Sequence, residues 1–146
     1  MKRFLLFVIV FVLALTACTP KAEEPAGAVL KVSDGTVSKT YTVNDLKGLG
    51  ETQATFKGVT YLGVTLTALL QDAGIDPTNL TAVKAVASDG FSANYDASLY
   101  AAEDTIVAYA IMDGPLTTDD GTFRMVLPNA EGKMNVRQLV EIVAIP

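Results

Sequence analysis

Two hydrophobic periods alternate along the chain, and their switch points mark its elements. Thr52, Ala54 and Phe56 alternate with Gln53, Thr55 and Lys57, so Glu51–Tyr61 predicts an extended segment with a break at Gly58. From there the period changes. Leu66, Leu69, Leu70 and Ala73 recur on one helical face, Thr65 stands at the N-cap position, and Gly74 before Asp76-Pro77 ends the run. Tyr61–Ile75 therefore predicts an extended segment turning directly into a short helix. A helix of about ten residues is marginal alone in water, so its leucine stripe requires a sheet to lie on.

Period-two segments supply that sheet. Val29–Val32 and Thr36–Tyr41 flank Ser33-Asp34-Gly35, and Leu80–Ala87 and Phe91–Tyr95 flank Ser88-Asp89-Gly90; each predicts a hairpin, the second with Phe91, Ala93 and Tyr95 on one face. Thr42-Val-Asn-Asp45 has the form of a capping box ahead of one helical turn anchored by Leu46 and Leu49, and Asp96 can cap another turn through Leu99 and Tyr100. Thr105–Met112 is apolar throughout, as a central strand buried on both faces would be, and Asp113-Gly114-Pro115 ends it. Phe123, Met125 and Leu127 alternate with Thr122, Arg124 and Val126, and Leu139–Ile145 makes a last strand. The expectation is an α+β fold of mixed, mainly antiparallel β layers with two or three short peripheral helices.

The first residues belong to a different problem. Lys2 and Arg3 precede the apolar run Phe4–Leu15 and then Leu15-Thr16-Ala17-Cys18, which predicts an export signal over residues 1–17. The run is too short for a bilayer core that needs about twenty helical residues. Leu-Thr-Ala-Cys resembles the lipobox of bacterial lipoproteins, which implies lipidation of Cys18, attachment to a bacterial membrane surface and an extracytoplasmic location. Cys18 is the single cysteine, so the chain has no internal disulfide. Residues 18–27, rich in Pro, Gly and charge, predict a flexible tether, and residues 28–146 have the length of one domain.

Charge and composition narrow the function. The net charge is −5, which disfavours nucleic acid as a partner, and the chain has no histidine, which removes the commonest acid–base group and metal ligand. Asp113, Asp119 and Asp120 lack the spacing of a calcium loop and are ordinary turn residues. Tyr61, Phe91, Tyr95, Tyr100 and Tyr109 line an aromatic pocket or pack in the core. Arg124, mid-strand, either presents its guanidinium fork to an anionic ligand, shared with Arg137 and Lys133 from the following loop, or forms a structural ion pair with a carboxylate such as Asp89 or Glu141. No catalytic residue and no metal site emerges.

An ordered series of segments carries a family resemblance over residues 40–146. Tyr61-x-Gly63-Val64-x-Leu66-x-x-Leu69-Leu70-x-x-Ala73-Gly74, Ser88-Asp89-Gly90-Phe91, Ile106–Leu116, Gly121–Pro128 and Asn135-Val136-Arg137 with Ile142-Val143 follow one another in the chain. Together they resemble the molybdopterin-binding domain of sulfite-oxidase-type oxidoreductases. The resemblance implies that family's mixed β structure and, for the enzymes, a cysteine thiolate on molybdenum from the segment before Gly63-Val64. That segment, Glu51–Tyr61, holds no cysteine here; Met134 stands where a basic residue is common, while Arg124 and Arg137 match.

The expected function is thus a lipid-anchored extracytoplasmic binding module without its own cofactor, taking a small ligand, anionic or not, or a partner protein at the former cofactor cleft. Two alternatives stand beside it: a redox oxidoreductase component that retains a molybdopterin cofactor, and a structural cell-surface domain.

Overall fold

The Ser33-Asp34-Gly35 turn closes as expected, joining β1 (Leu30–Ser33) to an antiparallel β2 (Ser38–Tyr41), in a computed structural model that describes residues 27–146. The Asp34 carboxylate accepts the Thr36 and Val37 amides, so the turn carries its own staple. The expected signal peptide, Cys18 and all of the tether except Gly27 lie outside the described residues. Helix α1 (Val43–Lys47) starts on the predicted capping box, Thr42 and Asp45 each accepting the other's amide, and buries Leu46.

The alternating segment after it reverses direction instead of running through. β3 (Thr52–Phe56) and β4 (Val59–Thr65) form a hairpin around a two-residue turn in which Lys57 (φ 50°) and Gly58 (φ 80°) are both left-handed. The break expected at Gly58 is therefore a chain reversal. β4 passes into α2 (Leu66–Asp72), where the Thr65 hydroxyl accepts the Ala68 amide and Leu66, Leu69 and Leu70 are buried. Gly74 and Ile75 donate back to Gln71 and Leu70, the two bonds that close a helix through a left-handed glycine. Each of the three buried leucines contributes roughly 1.5–3 kcal/mol, which offsets the weakness of so short a helix.

A 3₁₀ turn (Pro77–Asn79) leads to the hairpin of β5 (Ala82–Ala87) and β6 (Ser92–Tyr95), followed by α3 (Ala97–Tyr100) capped by Asp96. β7 (Ile106–Ile111) then turns back through Met112-Asp113 into a two-residue β8 (Gly114–Pro115), and β9 (Arg124–Val126) pairs with the start of β7. β10 (Leu139–Ile145) is the last element.

Ten strands and three short helices among the described residues make two sheets, ordered β2-β1-β10-β5-β6 and β3-β4-β7-β8, with β9 on β7. Among these strands only β1 with β10 runs parallel, so the fold is α+β and mainly antiparallel as expected. β7 is buried on both faces: Val107 and Tyr109 belong to a large core shared by both sheets and the helices, while Ile106 and Ala108 join a smaller cluster with Ala54, Tyr61 and Val126. The second sheet curls around that smaller cluster, its edge strand β3 approaching β9. Gly63 lets the sheet close, because a β-carbon there would lie 2.2 Å from the Val107 carbonyl oxygen.

Candidate functional site

Arg124 leaves β9 on the inner side of the curled sheet, where it is 3% exposed and spends its guanidinium inside the protein. Nη1 donates to Asp120 Oδ1 at 2.6 Å and to the Tyr61 hydroxyl at 2.9 Å, with the guanidinium carbon 4.5 Å from the centre of the Tyr61 ring. Asp120 is itself buried, and its second oxygen accepts from the Thr117 hydroxyl. The ion-pair alternative thus describes Arg124, but its partner is neither Asp89 nor Glu141. Asp89 caps the Phe91 amide and Glu141 pairs with Lys31 across β1 and β10. In the sequence Asp120 stands in a polar loop, where a residue four positions from Arg124 gives no sign that it folds inward.

Arg137 approaches the same carboxylate from outside, its Nε 3.5 Å from Asp120 Oδ1 and its side chain 62% exposed. Lys133 is exposed on a 3₁₀ turn (Gly132–Met134) and pairs with Glu131 at 2.9 Å, an interaction that holds the lysine pKa up and the glutamate pKa down. All three predicted residues, Arg124, Arg137 and Lys133, line one cleft of about 500 Å³. Its walls are the tip of the β3–β4 hairpin, the tip of the β5–β6 hairpin and the segment 132–138. Buried Asn135 fixes the approach to that segment, bonding both the amide and the carbonyl of Leu127 and the carbonyl of Glu131.

The cleft also holds Phe91, one of the aromatic-pocket candidates, and two residues that the sequence pattern does not single out, Lys57 and Gln138. Phe91, expected on one face with Ala93 and Tyr95, falls before β6 begins, stays 48% exposed while those two are buried, and faces the cleft. Lys57 sits on the hairpin tip and makes no ion pair with any described carboxylate; its ammonium lies 5.4 Å from the centre of the Phe56 ring. Gln138 ties loop 117–121 to the rest: its amide donates to the Asp120 carbonyl, its carbonyl accepts the Ser88 amide, and its side chain reaches the Thr118 carbonyl. Lys57 and Gln138, each at φ 50°, are the two non-glycine residues in the left-handed region among those described. Each such conformation costs about 1–2 kcal/mol in a residue with a β-carbon, and both border this cleft.

The remaining candidates are structural. Tyr61, Tyr95, Tyr100 and Tyr109 are buried in two separate clusters and form no shared pocket. The Tyr95 hydroxyl donates to the Met134 carbonyl, and Tyr100 to those of Pro77 and Leu80. Tyr109 donates to Glu51, and burial together with that carboxylate pushes its pKa up to about 12. It borders a second cavity of about 770 Å³ with Val43, Lys47, Pro115 and Leu116, which contains none of Arg124, Arg137 and Lys133. No group of three or more carboxylate, thiol or imidazole ligands gathers among the described residues, and none of their helices is long and apolar enough to cross a membrane.

A mixed α+β domain with a charged cleft at the meeting of two hairpin tips is the class that these observations define. The family model for the oxidoreductase molybdopterin binding domain matches residues 29–146, and the chain belongs to that family. A search of curated proteins gives no match. Among solved structures, the sulfane dehydrogenase SoxCD from Paracoccus pantotrophus is similar, with a TM-score of 0.67 and 19% sequence identity. The match covers 80% of this chain and 38% of that one, so this chain spans well under half of its length.

Family membership brings molybdopterin into question at the cleft, and the lining residues fit one part of it. Lys57, Lys133 and Arg137 suit a phosphate. For the metal they offer ammonium, guanidinium and two carboxylates, Asp89 and Asp119, with no sulfur or imidazole donor. A soft thiolate site is not replaced by such a set, so the described residues do not fit a thiolate-held molybdenum.

Proposed function

We propose that this chain is a lipid-anchored extracytoplasmic binding module in which the family's cleft takes a small anionic ligand without a molybdenum centre. The observation that carries the reading is that both left-handed non-glycine residues border the one cleft that also gathers Lys57, Lys133 and Arg137. Strain of about 1–2 kcal/mol per residue is retained where the surrounding structure holds a site in shape, and here it coincides with Lys57, whose charge no described carboxylate pairs. Arg124 is a positioning residue in this reading: it anchors Asp120, and Asp120 in turn holds Arg137 at the rim. The two-residue turn at Lys57-Gly58, in a segment without cysteine, supports the absence of the metal chemistry.

The anchor follows from Cys18. Cleavage before it leaves a lipidated cysteine on the membrane surface, with residues 18–27 giving the domain its reach. Cys18→Ser should move the protein from the membrane fraction to the soluble one, and equal retention of both forms would contradict the anchor. For the cleft, elemental analysis of protein purified from its native host should find molybdenum far below one atom per chain. Stoichiometric molybdenum would favour instead a redox component that keeps the pterin cofactor, a reading that the three rim cations also accommodate.

A further inference from the structure

We infer that Lys57 is the residue that seizes the ligand's anionic group, and that the ligand is a compact aromatic anion whose ring lies between Phe56 and Phe91. The inference rests on the proposed binding role of the cleft and adds its recognition chemistry.

Lys57 occupies the first position of a tight hairpin turn, where asparagine, aspartate or glycine takes positive φ at the least cost. Nothing in the turn requires a lysine. Its side chain crosses toward the opposite wall: the ammonium lies 3.6 Å from the point where a β-carbon on Gly132 would stand. The ammonium thus reaches across to the backbone of the 132–138 wall. Among the cations of the cleft, Arg124 is committed to buried Asp120, Lys133 to Glu131 and Arg137 loosely to Asp120, whereas Lys57 has no carboxylate within ion-pair distance among the described residues. Its positive charge is the one most available to an incoming anion.

The aromatic half of the ligand follows from the two phenylalanines. Phe91 leaves the alternation of its hairpin and remains 48% exposed at the cleft, and half-buried Phe56 stands beside Lys57 on the other tip. A planar ring covers both at little entropic cost, and the Lys57 ammonium over Phe56 is placed to meet a substituent on that ring. Asp89 and Asp119, also on the lining, repel extended negative charge and restrict the ligand to one compact anionic group.

The test uses the full chain in lipid nanodiscs, empty nanodiscs as blank, and calorimetric titration with 1-naphthyl phosphate, inorganic phosphate and 1-naphthol. The naphthyl phosphate should bind more tightly than either half alone. Lys57→Gln should weaken it about tenfold or more, since it removes a charge-assisted contact, and Lys57→Arg should restore most of the loss. Lys84→Gln, a β5 lysine outside the cleft, should leave binding unchanged. If Lys57→Gln behaves like Lys84→Gln while Arg137→Gln loses affinity, the Lys57 assignment is overturned and the cleft reading survives. If neither Lys57→Gln nor Arg137→Gln weakens binding, or no binding is seen at millimolar probe, both fall.

Discussion

Two groups of positive charge stand on either side of one carboxylate, and they are treated in opposite ways. Inside the curled sheet Arg124 is almost fully buried, with Asp120, the Tyr61 hydroxyl and the Tyr61 ring all in contact. At the rim, Arg137 touches the same Asp120 at 3.5 Å from solvent, and Lys57 and Lys133 extend over the cleft. Burial decides the difference. A guanidinium removed from water has to be matched or the fold does not form, whereas an exposed cation is hydrated and costs nothing when left without a partner. Exposed charge at the rim is accordingly loosely paired, as in Arg137 and Lys133, or left without a described partner, as in Lys57, and tightly matched charge holds the scaffold beneath.

This contrast can be broken most forcefully from the inside. Arg124→Ala leaves buried Asp120 with only the exposed Arg137 and the Thr117 hydroxyl beside it, and should lower the unfolding free energy of the full chain by about 3 kcal/mol in urea titration. Arg137→Gln removes an exposed contact to the same carboxylate and should cost at most about 1 kcal/mol. Equal losses for the two variants would erase the distinction between interior and rim. Tyr61→Phe keeps the ring over the guanidinium and deletes one hydrogen bond, for a loss of about 1 kcal/mol.

Smaller effects sharpen the rim. Lys57→Asn places a favoured residue in a left-handed turn and should stabilise the chain by a few tenths to about 1 kcal/mol while weakening anion binding. A variant that gains stability and keeps its affinity would remove the functional reason for the strain. The pH dependence should be shallow at the acid end. Asp34, Asp45, Asp76 and Asp96 are held below the ordinary aspartate value of 3.8 by the turn and cap hydrogen bonds they accept. Folded pKa values below unfolded ones stabilise above pH 3.8, and this contribution is lost as pH falls through the folded values. At the alkaline end Tyr109 has the opposite sign. Burial and Glu51 raise its pKa from 10.0 to about 12, so its contribution is complete below pH 10.0 and disappears as pH rises toward 12. Thermal melts across both ranges should show a plateau between two declines.

Features carried by local chemistry are legible in the sequence. Asp34-Gly35 and Asp89-Gly90 announce their turns, the Thr42–Asp45 box and Thr65 announce helix starts, and Leu66, Leu69 and Leu70 announce the buried face. The Lys57-Gly58 reversal reads only as a break because lysine carries no turn signal, and its left-handed backbone is imposed by the flanking strands. Pairing of β1 with β10 joins the two ends of the domain and leaves no mark in either strand. Arg124 stands out in the sequence, since a charge in an apolar alternation requires a partner. That partner comes from a polar loop whose inward turn depends on Gln138, far along the chain from the hairpin it also braces. Phe91 is misplaced by its pattern for a related reason: alternation assigns a face only while the strand continues, and β6 starts one residue later.

The most direct test of the cleft as the site of function is amide hydrogen exchange on the full chain in nanodiscs, with and without 1-naphthyl phosphate. Added protection is expected at Phe56–Gly58, Asp89–Phe91 and residues 132–138, the three segments that wall the cleft. Protection instead around Thr42–Lys47 and Tyr109–Leu116, which border the second cavity, or none at all, would contradict a binding role for the cleft.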